Sequence, residues 1–347
     1  MFKEMAAKGH VFVIAELAAN HNGDMDLAKT MISAASKAGA DCVKFQSWSK
    51  YSVNAKIKYE ENWFIGDDYR KRKDMTLEQS VEKYMISEQQ LLEMKSHSDS
   101  LGITMASTPF SKREVDFLVE ELKAPFIKVA SMDLNNLPLL SYIAKKGLPV
   151  LISTGLGTMG EIDAAVNTIQ ENGCPEIAIL HCVAEYPPKD DMVHLRKMET
   201  LRMMYPECVI GFSDHTLGTA IPIASIACGA RIVEKHITMD KSLVGWDHKV
   251  SATPDELTAI VDAARRIPRA LGTTKIEPVE SKERITEFRR SLASACPIRK
   301  GERITEDMLD CKRPARGISP DKMFAIIGRK AARDIGLDEI LYWKDLD

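Results

Sequence analysis

Two lysines stand where a lysine is costly. Lys44 lies inside CVKFQ (42–46) and Lys128 inside FIKVA (126–130), runs that are otherwise almost wholly apolar. A buried ammonium is unfavourable unless an anion meets it. The pair therefore points to an acidic, phosphorylated small molecule. Gln46 is two residues beyond Lys44 and shares its face of a strand. Hydroxyls recur where comparable runs end, at Ser107 and Thr108, Ser131, Ser153 and Ser213. His215 and His236 close two further runs, and imidazole is the commonest ligand of divalent transition metals. Two imidazoles, with water or a substrate oxygen filling the remaining positions, describe an open catalytic site. His181 closes another run and reads equally as a third ligand or as a core residue. His10, His97 and His194 read as ordinary helix or loop residues.

These groups need elements that bring them to one place. Eight apolar runs, VFVIAEL (11–17), CVKFQ (42–46), ITMAS (103–107), FIKVAS (126–131), PVLIST (149–154), EIAILH (176–181), CVIGFS (208–213) and RIVEKH (231–236), alternate with amphipathic helical stretches. Strands apolar on both faces belong in a parallel sheet covered by helices. Eight strand–helix units in about 250 residues predict an α/β fold, a (β/α)8 TIM barrel over residues 1–271. An open doubly wound sheet is the rival, but it usually carries an early Gly-rich phosphate loop, and none is present. In a barrel the ends of the strands carry the chemistry, and nearly every run here ends in a polar or charged group. Residues 48–80 are polar and aromatic, too long for a simple loop, and are expected to build or cover the site. Residues 272–288 read as a charged linker. Residues 289–347, with short segments and Gly/Pro punctuation, predict a small β-rich domain.

Composition excludes several classes. The 347 residues are 45% hydrophobic and 28% charged, ordinary values for a globular chain. Lys and Arg number 47 against 50 Asp and Glu, a formal net charge of -3, so no nucleic-acid backbone is an expected partner. No apolar run is long enough to cross a membrane. The opening MFKEMAAKGH lacks the apolar core of a signal peptide, so a cytoplasmic location is expected. Seven cysteines without CxxC spacing read as reduced thiols.

The motifs ANHNGD (19–24), VKFQ (43–46), STPF (107–110), ISTG (152–155), LHC (180–182), AEYPP (184–188), GFSDHT (211–216), EKHIT (234–238) and WDHKVS (246–251) resemble the sialic acid synthase family. RRSLASA (289–295), IRKGERITEDML (298–309), KRP (312–314) and IGRKAARDI (327–335) resemble its antifreeze-like (SAF) domain. The resemblance runs in order over almost the whole chain. It implies a transferase that condenses phosphoenolpyruvate with an open-chain hexosamine and water. The hexosamine would be N-acetylmannosamine or a 6-deoxy-diacetamido analogue, and the product a nine-carbon 2-keto acid.

Position by position, the resemblance implies His215 and His236 as ligands of a divalent metal, Mn²⁺, Mg²⁺ or Co²⁺. It implies Lys44, Thr108, Lys128, Ser131, Ser153 and Ser213 around phosphoenolpyruvate. Gln46, Tyr186 and Asp247 would meet the sugar, joined by Arg313 from a partner subunit of a domain-swapped homodimer. Lys44 and Lys128 would hold the reacting anion, and Asp133 or Glu234 would accept the proton of the attacking water. The chain departs from the family pattern at Asp133, where the family has Glu, and at Trp246, where it has Pro. Two other readings compete: a phosphoenolpyruvate-dependent synthase of another 2-keto-3-deoxy sugar acid, and a saccharide-binding barrel without catalysis.

Overall fold

The computed structural model describes residues 1–62 and 74–347. It divides into two compact units, Met1–Gly272 and Thr273–Asp347.

The first unit is the (β/α)8 barrel. Its strands are β1 (Phe12–Glu16), β2 (Cys42–Gln46), β3 (Thr104–Thr108), β4 (Ile127–Val129), β5 (Val150–Ser153), β6 (Ile177–Cys182), β7 (Val209–Asp214) and β8 (Ile232–His236). All the ladders are parallel. They run in the order β3-β2-β1-β8-β7-β6-β5-β4, and the two end strands, β3 and β4, pack together to close the cylinder. Helices fill the connections, and their starts are written in the sequence. Asp24 caps Met25–Lys37. Ser87, Thr158 and Thr253 cap Glu88–Ser100, Met159–Glu171 and Pro254–Leu271 through reciprocal bonds with Gln90, Glu161 and Glu256. Such boxes satisfy backbone donors that would otherwise be orphaned.

The strand alternation sorts side chains into two cores. Val13, Val43, Met105, Val129, Ile152, Ile179, Phe212 and Val233 face outward under the helices. Phe12, Ile14, Cys42, Ala106, Phe126, Leu151, Ala178, Leu180, Val209 and Ile232 fill the lower interior of the cylinder. Phe2, from the short helix Phe2–Ala7, seals the lower end by meeting Phe12 and Phe126 edge-on, with ring centroids 5.7 and 5.1 Å away. The edge-to-face arrangement is the one favoured by the ring quadrupoles. Each fully buried ring or aliphatic side chain contributes roughly 1.5–3 kcal/mol by leaving water.

The described part of the stretch at 48–80 carries the helices Lys50–Val53, Lys56–Glu60 and Leu77–Tyr84, joined by turns and irregular segments. Residues 63–73 lie outside the described residues. Trp48, Leu77, Val81, Tyr84, Phe110 and Ala19 form a separate apolar cluster, with Trp246 packed against it.

In the second unit, β9 (Ser291–Ser294) and β10 (Leu309–Lys312) pair antiparallel, with Leu309 opposite Ser294. Leu292, Ile298, Ile304, Ile318, Ile326, Ile335 and Leu341 form its core. The expected linker at 272–288 carries a helix. Ser281 caps a helix at Lys282–Phe288, and the backbone N–H of Ala315 donates to the Thr286 carbonyl at 2.7 Å. Among the described residues, all seven cysteines are free thiols, and no helix is long and apolar enough to cross a membrane.

Candidate active site

The alternation that buries Ile14, Cys42, Phe126 and Ile232 continues upward into polar groups. Two residues beyond them on the same faces stand Glu16, Lys44, Lys128 and Glu234, all buried. Ser153 and Ser213 continue β5 and β7 in the same way, and Thr108 continues β3. Lys44 Nζ is ion-paired with Glu16 and donates to Thr108 Oγ1 at 3.0 Å. Lys128 Nζ donates to Ser153 Oγ at 2.7 Å and to the Val129 carbonyl at 3.1 Å. Glu234 stands between the two ammoniums, 3.8 Å from Lys44 and 3.7 Å from Lys128. Ser213 Oγ donates to its Oε1 at 2.9 Å. Six of the expected residues, Lys44, Thr108, Lys128, Ser153, Ser213 and Glu234, therefore form one network.

The electrostatics follow from burial and sign. Burial pushes the Lys44 ammonium down to about 7, with Glu234 opposing and Lys128 reinforcing the shift. Burial alone would raise the Glu234 carboxyl, but Lys128 and Lys44, with the Ser213 hydroxyl, hold it below its ordinary range. The two ammoniums stand above an apolar floor with Glu16 and Glu234 as their counter-charges, which an entering anion would have to share.

One storey higher are the histidines. His236 and His215 face each other with ring centroids 5.5 Å apart. His215 Nδ1 donates to the Val183 carbonyl at 2.7 Å, which leaves Nε2 as the lone-pair nitrogen of the neutral ring. His236 Nδ1 is buried without a hydrogen-bond partner, 3.9 Å from Asp247 Oδ2. Burial, helped by His215 and Lys44, holds the His236 ring well below its usual pKa, so it is neutral. For His215 burial acts downward, but Cys182 and the Val183 carbonyl more than offset it. An orphaned neutral nitrogen beside a second imidazole of fixed tautomer fits a divalent cation. No group of three or more His, Cys, Asp or Glu among the described residues could hold a metal. Water or a bound oxygen would therefore complete the shell. His181 is not part of this pair: its Nε2 donates to the Val193 carbonyl at 2.6 Å.

The remaining expected residues of the barrel unit are Gln46, Ser131, Asp133, Tyr186 and Asp247. Tyr186 stacks on His215 at 4.0 Å. Gln46 ends β2, and its Oε1 accepts from Trp48 Nε1 at 3.0 Å. Ser131 and Asp133 lie in a turn after β4; Ser131 Oγ accepts from Gly155 N at 3.0 Å. A Cβ at Gly155 would stand 2.7 Å from that hydroxyl, so only glycine allows the contact. Asp133 Oδ1 accepts from Asn136, whereas its Oδ2 is buried without a partner. Burial raises the Asp133 carboxyl, with Asn136 opposing. Arg313 belongs to the second unit, where its exposed guanidinium lies over the Phe288 ring, 5.3 Å from the centroid. Trp246 packs on Trp48 and Tyr84, at 6.0 and 5.2 Å, within the apolar cluster.

Two participants were not singled out from the sequence. Glu16 was visible as the polar end of an apolar strand, in register opposite both Lys44 and His236. The alternation Phe12, Ile14, Glu16 was the signal that could have placed it inside. Trp48 gave no local signal, because its bond to Gln46 depends on how the inserted segment packs.

Comparison with known proteins bears on the whole chain. A model of the NeuB family matches residues 31–276, and one of the SAF domain matches residues 289–347. An uncharacterized protein of Methanocaldococcus jannaschii is 39% identical over 337 residues, covering 96% of this chain and 94% of its own. The N,N'-diacetyllegionaminic acid synthase of Campylobacter jejuni is 36% identical over 336 residues, covering 95% and 98%. Among solved structures, an N-acetylneuraminic acid synthetase from Leptospira borgpetersenii, in complex with citrate, is 34% identical. It superposes with a TM-score of 0.68 over 79% of this chain and 90% of its own.

Proposed function

The chain belongs to the NeuB family, and from that membership we propose that it is a nonulosonic acid synthase. It condenses phosphoenolpyruvate with an open-chain N-acylated hexosamine and water, and releases a nine-carbon 2-keto acid and inorganic phosphate. The observation that carries this reading is the buried pair Lys44 and Lys128, bracketing Glu234 directly beneath His215 and His236.

In this reading Lys44 and Lys128 bind the phosphate and carboxylate of phosphoenolpyruvate, with Thr108, Ser131, Ser153 and Ser213 supplying directed hydrogen bonds. Holding both reactants turns a bimolecular encounter into a positioned one. C3 of phosphoenolpyruvate attacks the sugar aldehyde, the carbonyl electrons move onto its oxygen, which becomes the new hydroxyl by taking one of the two protons that the added water gives up, and positive charge develops at C2. Water adds at C2 and gives up a proton. The C2–O bond to phosphate then breaks, and the keto group forms. Glu234, kept ionised by two lysines, stabilises the charge at C2. Asp133, whose carboxyl is raised by burial and has one oxygen unpartnered, is the better acceptor for the water's proton. A divalent metal held by His215 and His236 supplies Lewis acidity toward the aldehyde when bound. Gln46, Tyr186 and Asp247 line the approach of the sugar.

We further assign the protein as a homodimer in which Arg313 of one copy serves the barrel of the other. Its guanidinium is exposed and lies over Phe288, and a guanidinium has the donors for several directed bonds.

The test is phosphate release from phosphoenolpyruvate with a panel of hexosamines in ¹⁸O-water. Label in the keto acid and none in the phosphate is expected for C–O cleavage. Label in the phosphate, or no release with any hexosamine, overturns the reading.

A further inference from the structure

Gln46 is the last residue of β2 and shares the inward face of Lys44. Its amide has two ends of opposite character, a carbonyl that accepts and an NH2 that donates. Indole nitrogen is a donor only, so the amide atom 3.0 Å from Trp48 Nε1 has to be the oxygen. The orientation of the Gln46 amide is thus fixed by chemistry. Among the described residues no other group bonds it, so the atom left for a ligand is the amide nitrogen with its two hydrogens.

Trp48 is itself held firmly. It is almost fully buried, in a cluster with Leu77, Val81, Tyr84 and Phe110. Trp246 lies 6.0 Å from its ring and is braced in turn by Tyr84 at 5.2 Å. Tyr84 ends the helix Leu77–Tyr84, whose start is fixed by the Thr76–Gln79 capping box. A helix of the inserted segment therefore reaches the mouth of the barrel through two aromatic contacts and one hydrogen bond.

We propose that Trp48 is a positioning residue that turns Gln46 into an obligate donor, so that this point of the mouth selects an oxygen of the acceptor sugar. A hydroxyl lone pair or an acyl carbonyl satisfies it. A sugar presenting an ammonium or a methyl there leaves the two N–H groups unpaired, which is costly. This rests on the proposed condensation and adds one requirement to it, an oxygen of the sugar within reach of the Gln46 amide nitrogen.

The contact is tested apart from turnover. The indole N–H resonance of Trp48, identified by its loss in Trp48→Phe, should shift in Gln46→Ala; no shift overturns the positioning role. With the sugar that the wild-type protein accepts, Gln46→Glu keeps an oxygen for the indole but removes both donors. Its KM for the sugar should rise as much as in Gln46→Ala, with that for phosphoenolpyruvate unchanged. An unchanged sugar KM in Gln46→Glu overturns the selection. Trp48→Phe should raise the sugar KM about five- to tenfold, and adding it to Gln46→Ala should do no further harm. Multiplying effects mean that Trp48 acts through packing alone, and overturn the role. Should Trp48→Phe unfold, the Trp48 resonance is identified as the indole N–H that persists in each of Trp63→Phe, Trp246→Phe and Trp343→Phe, and the two Gln46 variants decide. If the wild-type protein condenses no sugar at all, the selection falls together with the functional reading, and the indole resonance still judges the contact.

Discussion

Lys235 and Asp214 form an ion pair of 2.6 Å with both side chains withdrawn from solvent. Each is the chain neighbour of a site histidine, Asp214 before His215 and Lys235 before His236. Asp214 Oδ1 also accepts from Thr216 N, and Lys235 Nζ donates to the Thr216 carbonyl. The turn that carries His215 off β7 is thereby tied to β8. Burial pulls the Lys235 ammonium down, and Asp214 keeps a counter-charge against it.

Breaking this pair from one side leaves an uncompensated buried charge. Lys235→Met should destabilise the fold by about 3–5 kcal/mol, read as a lower denaturant midpoint. Replacing both partners by apolar residues should recover much of the loss. Equal stability of the single variant and the wild type would show that the pair contributes nothing.

Removal of divalent metal should lower turnover by roughly a hundredfold or more. Mn²⁺, Co²⁺ and Mg²⁺ should restore it to different extents. His236→Ala should lose Mn²⁺ binding measured by paramagnetic resonance, with its melting temperature kept. Full activity of a protein shown by elemental analysis to be metal-free would end the assignment.

Lys44, pushed down to about 7 in the free protein, must be charged to attract an anion. Its folded pKa is depressed, so the charged form is lost as pH rises through about 7. The kcat/KM for phosphoenolpyruvate should accordingly fall above that pH, and binding there should take up a proton. Calorimetry in buffers of different ionisation enthalpy measures the uptake. Lys44→Arg should abolish both effects, since arginine stays charged throughout.

Arg313→Ala and His236→Ala should each be nearly inactive. Refolded as an equal mixture, about half of the dimers are hybrids carrying one intact site of two, so roughly a quarter of the wild-type activity should return. Hybrids confirmed by mass spectrometry without recovered activity would place Arg313 on its own barrel.

The barrel was legible because strand and helix periods are local properties. The eight expected runs match β1 to β8 within one or two residues at their ends. Lys44 and Lys128 were legible because an ammonium in an apolar run needs a partner. Lys235, in an equally apolar run, faces the opposite way, and only the register with Asp214 reveals its purpose. His181 could not be sorted from His215 by sequence, because what separates them is the Val193 carbonyl twelve residues away. The helix at Lys282–Phe288 was hidden by its charge. Trp246, where the family pattern has Pro, packs on Trp48 and Tyr84, a contact between segments far apart in the chain.

Phe2, Phe12 and Phe126 make the cylinder a blind tube. Lys44 lies two residues, about 6–7 Å, below Gln46 at the end of β2, as Glu234 lies below His236 at the end of β8. With no passage beneath, anything lodged at the lysines is trapped under whatever lies at the rim. Loading is therefore a queue with one door. For the condensation proposed above, the expected order is phosphoenolpyruvate before the sugar, with phosphate leaving after the product.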